Sequence, residues 1–172
     1  MTTVRNALVA VVAMVLTVAL AVAVQFNRAQ VSLAELAAEA TDWQVAQTNG
    51  APTLLEFYAD WCSSCRAMAP MLAEVKAAYR DRINFVMLNV DNPRWLPELN
   101  TFRVSGIPHF VFLDAQNQVV AQAVGEQPRA VLVAQLEGLL GGQEGDTPLI
   151  IGKTSTLPAA TLPKPVQPRT HG

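Results

Sequence analysis

The sequence predicts an α/β fold in which helices flank a central mixed β-sheet, with a transmembrane helix before this domain and a disordered tail after it. Three observations indicate this organisation. An apolar run occupies residues 7–24, helical and strand-like patterns alternate across 32–141, and residues 142–172 are rich in proline, glycine and threonine. The predicted boundaries are therefore a short cytoplasmic N-terminus (1–6), an anchor (7–24), a linker (25–31), a folded domain (32–141) and a tail (142–172).

The apolar run is long enough to cross a membrane. It contains one polar side chain, Thr17, and as a helix it would extend about 27 Å, close to the thickness of the hydrocarbon core. A cleaved signal peptide stays open as an alternative, because Ala19-x-Ala21 or Ala21-x-Ala23 could be the cleavage site. Arg5 precedes the run, which favours a cytoplasmic N-terminus. Both an anchor and a signal peptide predict that the rest of the chain is exported across the membrane.

Helical and strand patterns alternate through the first half of the domain. Ser32-Leu-Ala-Glu35 has the form of a capping box, so a helix should begin at Ser32 and end near Thr48. Thr53–Ala59 and Ile83–Val90 are β-rich apolar runs, which predict two buried strands. The helical pattern from Cys65 to about Tyr79 joins them. The three elements make a βαβ unit, so the two strands should be parallel.

The second half of the domain predicts a hairpin and a closing helix. Phe110–Leu113 and Gln118–Val124 are typical of two antiparallel strands joined by a tight turn. A loop with a short helix should fill Asp91–Thr101, and Pro128 to about Leu140 carries apolar residues at helical spacing. Residues 141–172 hold five of the 11 prolines and five of the 9 glycines without apolar periodicity, which is typical of disorder.

Composition excludes several classes of protein and site. The net charge is −2 and the basic residues are scattered, so a nucleic-acid partner is not expected. Cys62 and Cys65 are the only two cysteines, too few for a secreted fold stapled by disulfides. A metal site would need His109 to join both cysteines and a fourth ligand. Because Arg66 follows Cys65, the chain also lacks a C-x-x-C-H haem attachment motif. We therefore expect no metal and no cofactor.

The chemistry of the chain lies in Cys62-Ser63-Ser64-Cys65, where the first strand leads into a helix. The pair can form one short-loop disulfide or remain a dithiol. Cys62 should lie at the helix N-terminus, where backbone N–H groups and the helix dipole favour a thiolate and lower the cysteine pKa. Cys62 is therefore the predicted nucleophile. Cys65, one turn further in and less exposed, is the predicted resolving thiol.

Together these motifs resemble the thioredoxin family. The resemblance covers about Ser32 to Leu140 and implies a thioredoxin fold with a redox-active Cys62–Cys65 disulfide and thiol:disulfide oxidoreductase activity. The residues that carry it are Glu56-Phe-Tyr-Ala-Asp-Trp-Cys-x-x-Cys65, Pro70, Leu88-Asn-Val-Asp91, Gly106-Ile-Pro108 and Val124-Gly125.

The resemblance also implies further site residues. Glu56 matches a buried carboxylate that relays the proton of the resolving thiol, although its spacing alone would equally fit an outward-facing residue on an edge strand. The lysine that usually neighbours this carboxylate is Met87 here. Pro108 matches a cis-proline that leaves the backbone of Ile107 free to pair with a substrate peptide. Trp61 should shape the docking surface beside the dithiol, or else be a plain core aromatic.

Within the family, four features resemble the membrane-anchored type that includes the cyanobacterial TxlA proteins and the plant high-chlorophyll-fluorescence-type thylakoid proteins. They are the apolar segment, Ser63-Ser64, Asp91-Asn-x-x-Trp95 and Ile107-Pro-His-Phe110. This likeness implies a single-pass protein of the thylakoid or plasma membrane, with its domain on the lumenal or periplasmic side. It also implies a CcdA-type membrane protein as electron donor and protein disulfides as substrates, such as those of apocytochromes c during cytochrome assembly.

Two alternatives remain open from the sequence. The first is a disulfide oxidant or isomerase on the same fold, because the direction of exchange depends on the reduction potential and Ser63-Ser64 does not reveal its value. The second is a non-catalytic anchored module that binds client chains through the same groove.

Overall fold

The structure, a computed structural model, describes residues 2–28, 31–142, 150–152 and 155–156. It divides into two compact units, Met1–Val31 and Ser32–Gly172. The first unit contains helix α1 (Thr2–Arg28), which includes the predicted anchor. A search of the described residues finds no helix with the length and apolar character that crossing a membrane requires. The anchor therefore stays a prediction.

The second unit is a β-sheet flanked by helices. The elements in chain order are α2 (Leu33–Ala38), α3 (Trp43–Thr48), β1 (Thr53–Tyr58), α4 (Ser63–Tyr79), β2 (Asn84–Asn89), a 3-10 turn (Pro93–Trp95), α5 (Leu96–Thr101), β3 (Gly106–Ile107), β4 (His109–Leu113), β5 (Val119–Val124), α6 (Arg129–Gly141), β6 (Ile150–Ile151) and β7 (Ser155–Thr156). Five strands form one sheet in the order β2-β1-β4-β5-β6, and a two-stranded ladder joins β3 and β7.

The sheet is mixed, as predicted. Strand β1 is parallel to β2 and antiparallel to β4, and β4 is antiparallel to β5. Every residue of β1 and β4 is buried, so these two strands form the centre of the core. The predicted βαβ unit and the predicted hairpin are both confirmed. Their order brings the end of β1, where the dithiol follows, next to the start of β4.

One predicted helix is wrong, because the segment from Ser32 to Thr48 forms two short helices. Ser32 caps α2 in a capping box with Glu35, and the Glu35 carboxylate accepts the Ser32 N–H at 2.8 Å. Asp42 then caps α3 by accepting the backbone N–H of Gln44 at 2.8 Å. An N-cap side chain inside an apolar pattern starts a new helix, because it satisfies the free N–H groups of a first turn.

The predicted disorder of the tail is corrected at four residues. Most of 142–172 lies outside the described residues, but β6 and β7 are strands. Strand β6 lies parallel to the end of β5, and β7 lies antiparallel to β3. Strand pairing of this kind is made by backbone groups and needs no apolar periodicity, so composition does not reveal it.

Candidate functional site

The cysteine pair lies at the start of α4, as predicted. Cys62 is the N-cap residue, and its Sγ accepts the backbone N–H of Cys65 at 3.1 Å. The two residues are joined by a disulfide with their Cα atoms 5.3 Å apart. We predicted that Cys62 is the more exposed sulfur, but neither cysteine has exposed surface in this disulfide form.

Trp61 lies just before the dithiol and is held by a side chain of the neighbouring loop. Its indole Nε1–H donates to Asp91 Oδ2 at 2.9 Å, and 41% of the residue is exposed. This exposure excludes a plain core aromatic. Sequence reasoning missed the role of Asp91, although Asp91 ends the Leu88–Asp91 motif that carries the family resemblance. The hydrogen bond fixes an exposed aromatic surface beside the cysteines.

Two further contacts hold Asp60, in the loop that precedes the dithiol. The Arg66 Nη1–H group donates to the backbone carbonyl of Asp60 at 2.6 Å, and the Asn89 side-chain amide approaches Asp60 Oδ2 at 3.4 Å. The guanidinium of Arg66 is therefore engaged by the loop that precedes the dithiol.

Glu56 is buried in the centre of the sheet, so the outward-facing alternative is excluded. It is 4% exposed, and on β1 it lies opposite Met87 of β2 and Phe110 of β4. Its Oε1 is buried without a hydrogen-bond partner. Burial disfavours the charged carboxylate and raises the pKa of Glu56 to about 8. A carboxyl group with this pKa can exchange protons close to neutral pH.

Glu56 borders a small cavity beneath α4. The cavity has a volume of about 20 Å³, enough for one water molecule, and Leu72, Lys76 and Met87 also line it. The ammonium of Lys76 is directed to Glu39, whose backbone carbonyl it contacts at 2.5 Å and whose carboxylate lies 3.6 Å away. Among the described residues, no cation forms an ion pair with Glu56.

The Ile107–Pro108 segment faces the same end of the sheet as the dithiol. Its peptide bond is cis, and both residues are buried. Phe57 of β1 lies opposite His109 of β4. Pro108, which precedes His109, therefore lies near the end of β1, the strand that leads to Cys62. The Pro108 carbonyl accepts the N–H of Gly125 at 2.7 Å. Gly125 has φ of 87°, a conformation that glycine adopts without strain.

His109 is a buried residue that packs in the core beside β1. Its Nε2 lies 2.7 Å from Gln122 Oε1, and its ring packs edge-on to Phe57 at 6.0 Å between centroids. Burial lowers the pKa of His109, so the neutral ring is favoured. Across the described residues, no group of three or more histidine, cysteine, aspartate or glutamate side chains is arranged to hold a metal ion.

The structure thus places the predicted residues on β1, at the start of α4 and at the start of β4. Cys62, Cys65 and Trp61 lie on the turn into α4, Glu56 lies beneath that helix, and Ile107–Pro108 lies at the start of the neighbouring strand. A cysteine pair at a helix N-terminus, a buried carboxyl group and a short backbone strand before a cis-proline can together carry out thiol:disulfide exchange.

The chain is similar in sequence to several known proteins. The sequence model of the thioredoxin family matches residues 32–138. The chain is 46% identical over 170 residues to the thiol:disulfide interchange protein TxlA homolog of Synechocystis sp., which covers 98% of this chain and 94% of that protein. It is 50% identical over 139 residues to the thiol:disulfide interchange protein TxlA of Synechococcus elongatus, covering 81% and 73%. It is 44% identical over 144 residues to the chloroplastic thioredoxin-like protein HCF164 of Oryza sativa, covering 83% and 55%.

Proposed function

The chain belongs to the thioredoxin family and is a thiol:disulfide oxidoreductase, and we propose that it is a membrane-anchored reductant of protein disulfides. The observation that carries the proposal is the position of Cys62 as the N-cap of α4, with Cys65 within disulfide distance. The Cys65 N–H that now contacts Cys62 Sγ would stabilise the Cys62 thiolate in the reduced protein.

The proposed reaction transfers two electrons from the dithiol to the client. The Cys62 thiolate attacks one sulfur of the client disulfide, so that a mixed disulfide forms and the other client sulfur leaves as a thiolate. Cys65 then gives its proton to Glu56 and attacks Cys62 Sγ. This second attack forms the Cys62–Cys65 disulfide and releases the second client thiolate. Glu56 returns its proton to the released thiolate through solvent.

The electrostatics of the site support reduction as the direction. A strongly oxidising dithiol needs a thiolate that is stabilised well beyond its ordinary level. In the described part of the chain, Cys62 Sγ accepts one hydrogen bond, and the nearby Arg66 guanidinium is engaged by the Asp60 carbonyl. His109 is neutral. These contacts favour a reductant over a strong oxidant.

The equilibrium potential of the Cys62–Cys65 couple tests the direction. We expect a value near the thioredoxin figure of about −270 mV when the full chain, in mild detergent, is equilibrated with glutathione buffers. A value near about −120 mV, typical of a strong oxidant, would refute the proposal and support the oxidant alternative.

A trapping experiment separates catalysis from simple client binding. Changing Cys65→Ser removes the resolving thiol, so mixed disulfides should accumulate on Cys62. The matched variant Cys62→Ser should trap no client, because it lacks the nucleophile. A non-catalytic binding module would instead keep its client affinity in both variants without accumulating mixed disulfides. Mass spectrometry of the trapped partners would show whether apocytochromes c are among the clients.

Membrane anchoring is the second part of the proposal, and the character of α1 supports it. Its apolar side chains between Val9 and Leu20 are at least half exposed, which favours an apolar environment around the helix. Thr17, the one polar residue of the apolar run, donates its hydroxyl to the Met14 carbonyl at 2.8 Å, so its polar group is satisfied within the helix. The resemblance to anchored TxlA-type proteins points the same way.

We place the oxidoreductase domain on the lumenal or periplasmic side of a thylakoid or plasma membrane. The disulfide left by each turnover needs a dithiol donor, and by resemblance this donor is a CcdA-type membrane protein. The topology can be tested in intact right-side-out membranes with an impermeant phosphine reductant and an impermeant maleimide. Because Cys62 and Cys65 are the only cysteines, labelling reports on this site alone. In right-side-out plasma-membrane vesicles, labelling only after permeabilisation would refute the proposed topology. In intact thylakoids, whose lumen is enclosed, labelling before permeabilisation would refute it.

A further inference from the structure

The backbone edge that should receive client peptides is already paired with the protein's own tail. Strand β3 consists of Gly106–Ile107, the segment directly before Pro108, and β7 lies antiparallel to it. Ser155 lies opposite Ile107, and Thr156 lies opposite Gly106. An extended client adds to a sheet edge through the same backbone groups. A client strand and β7 therefore cannot occupy this edge together.

The described part of the tail that precedes β7 also pairs with the sheet. Strand β6 extends the sheet beside β5, with Ile150 opposite Ala123 and Ile151 opposite Val124. The next residue, Gly152, donates its N–H to the Val124 carbonyl at 2.6 Å. The chain then continues to β7. Two separate backbone ladders therefore hold the segment on the domain.

Gly152 lies so close to the backbone of Glu126 that a larger residue would not fit. A Cβ atom at this position would lie 2.1 Å from the carbonyl oxygen of Glu126. The atom it would meet belongs to the backbone and cannot rotate aside, so only glycine allows the tail to pass this closely. Gly138 in α6 offers a contrast, because a Cβ there would meet no atom within 4 Å.

We propose that β7 acts as an internal competitor of client strands, so that a client must displace the tail before its disulfide reaches Cys62. This inference rests on the proposed function, because it concerns the same peptide edge. Neither Cys62 nor Ile107 has exposed surface while β7 is in place. Strand β7 is only two residues long, so a longer client strand can form more backbone hydrogen bonds on the edge than β7 does.

The full chain with Gly152→Ala tests this competition, and Gly138→Ala is the matched control. We expect the Gly152 variant to lower the KM for the interchain disulfides of insulin by about five- to tenfold, because the apparent affinity rises as the fraction of open edge rises. The Gly138 variant should have the KM of the parent chain.

Hydrogen exchange provides a readout that does not depend on turnover. The backbone amides of Gly106 and Ile107 should exchange faster in Gly152→Ala than in the parent or in Gly138→Ala, because β7 no longer protects them. A second variant, with Ser155 and Thr156 both changed to proline, removes the N–H groups with which β7 can pair. It should reproduce both effects if the first substitution is absorbed by a local shift.

The outcomes separate this inference from the proposed function. Faster exchange at β3 with a lower KM in either variant supports competition by the tail. Faster exchange with an unchanged KM refutes it, and so does unchanged exchange in both variants, because β7 would then not protect the edge. If the parent and all variants fail to reduce insulin at any concentration, the proposed function fails, and exchange at β3 still decides whether β7 occupies the edge.

Discussion

Replacing Glu56 by glutamine should stabilise the protein at neutral and alkaline pH and weaken the dependence of its stability on pH. The carboxyl group lies on the central strand β1, and its Oε1 has no hydrogen-bond partner. An ionised carboxylate is costly in such a site, whereas glutamine has nearly the same shape and is neutral at every pH. The gain in unfolding free energy should therefore appear at pH values at which the carboxyl group of the unfolded parent chain is ionised.

The sign and size follow from the two states of the carboxyl group. Its pKa is about 8 in the folded protein, against an ordinary value of 4.5. Between these pH values the folded protein keeps a proton that the unfolded chain has released, so the free energy of unfolding falls as pH rises. At 1.36 kcal/mol per pKa unit, a shift of about 3.5 units amounts to roughly 5 kcal/mol across this range. Burial of the glutamine amide offsets about 1–3 kcal/mol of this gain.

Urea unfolding of the disulfide form in mild detergent, at pH values from 5 to 8.5, measures the effect. The parent should lose several kcal/mol of unfolding free energy across this range, and Glu56→Gln should lose much less. Glu74→Gln is the matched control, because Glu74 is an exposed carboxyl residue on α4, and it should follow the parent. If the Glu56 variant loses stability as steeply as the parent, the reasoning from burial is wrong.

Three further substitutions test the surroundings of the dithiol by urea unfolding. Gly125→Ala should lower the unfolding free energy by about 1–2 kcal/mol, because φ at this position is 87°, which strains any residue with a Cβ. Gly138→Ala is the control and should cause no loss, because it lies on a helix and a Cβ there meets open space. Equal losses in the two variants would contradict the argument from positive φ. Asp91→Ala should lower the unfolding free energy by about 0.5–1.5 kcal/mol and raise the KM for insulin, because Trp61 loses its hydrogen-bond acceptor. An unchanged KM would show that this hydrogen bond does not affect client binding. His109→Gln should reduce the loss of stability on acidification. The pKa of His109 is lowered by burial, so the parent loses stability as pH falls below about 6.5, and identical losses in parent and variant between pH 7 and pH 5 would exclude His109 as the cause.

The central part of the fold was predictable because each element carries its own periodicity. Strand β1 and helix α4 agree with their predicted bounds to within two residues, since apolar spacing continues to the ends of both. Apolar spacing did not predict the helix boundaries between Ser32 and Thr48. There the apolar spacing continues across a break, and only the cap formed by Asp42 marks the second helix.

The site residues likewise fall into two groups, those predictable from local sequence and those that depend on contacts between distant residues. Cys62, Cys65 and Pro108 belong to short motifs, so their positions follow from local sequence. The hydrogen bond from Trp61 to Asp91 joins residues thirty positions apart, and its partner follows a different strand. The pairing of β7 with β3 depends on backbone groups alone. Contacts of this kind leave no periodic trace in a single sequence.

Met87 links the electrostatics of the site to its proposed mechanism. The register places Met87 opposite Glu56, and Lys76, which also lines the cavity, is held by Glu39. With no cation paired to it, a carboxyl group of pKa about 8 is ionised in roughly one molecule in ten at pH 7. In the other molecules it places no negative charge beneath the dithiol, so it does not oppose formation of the Cys62 thiolate. The neutral form therefore favours attack on the client, and the minor ionised form is the one able to take the proton from Cys65. A single buried carboxyl group can serve both steps only because its pKa lies close to the working pH.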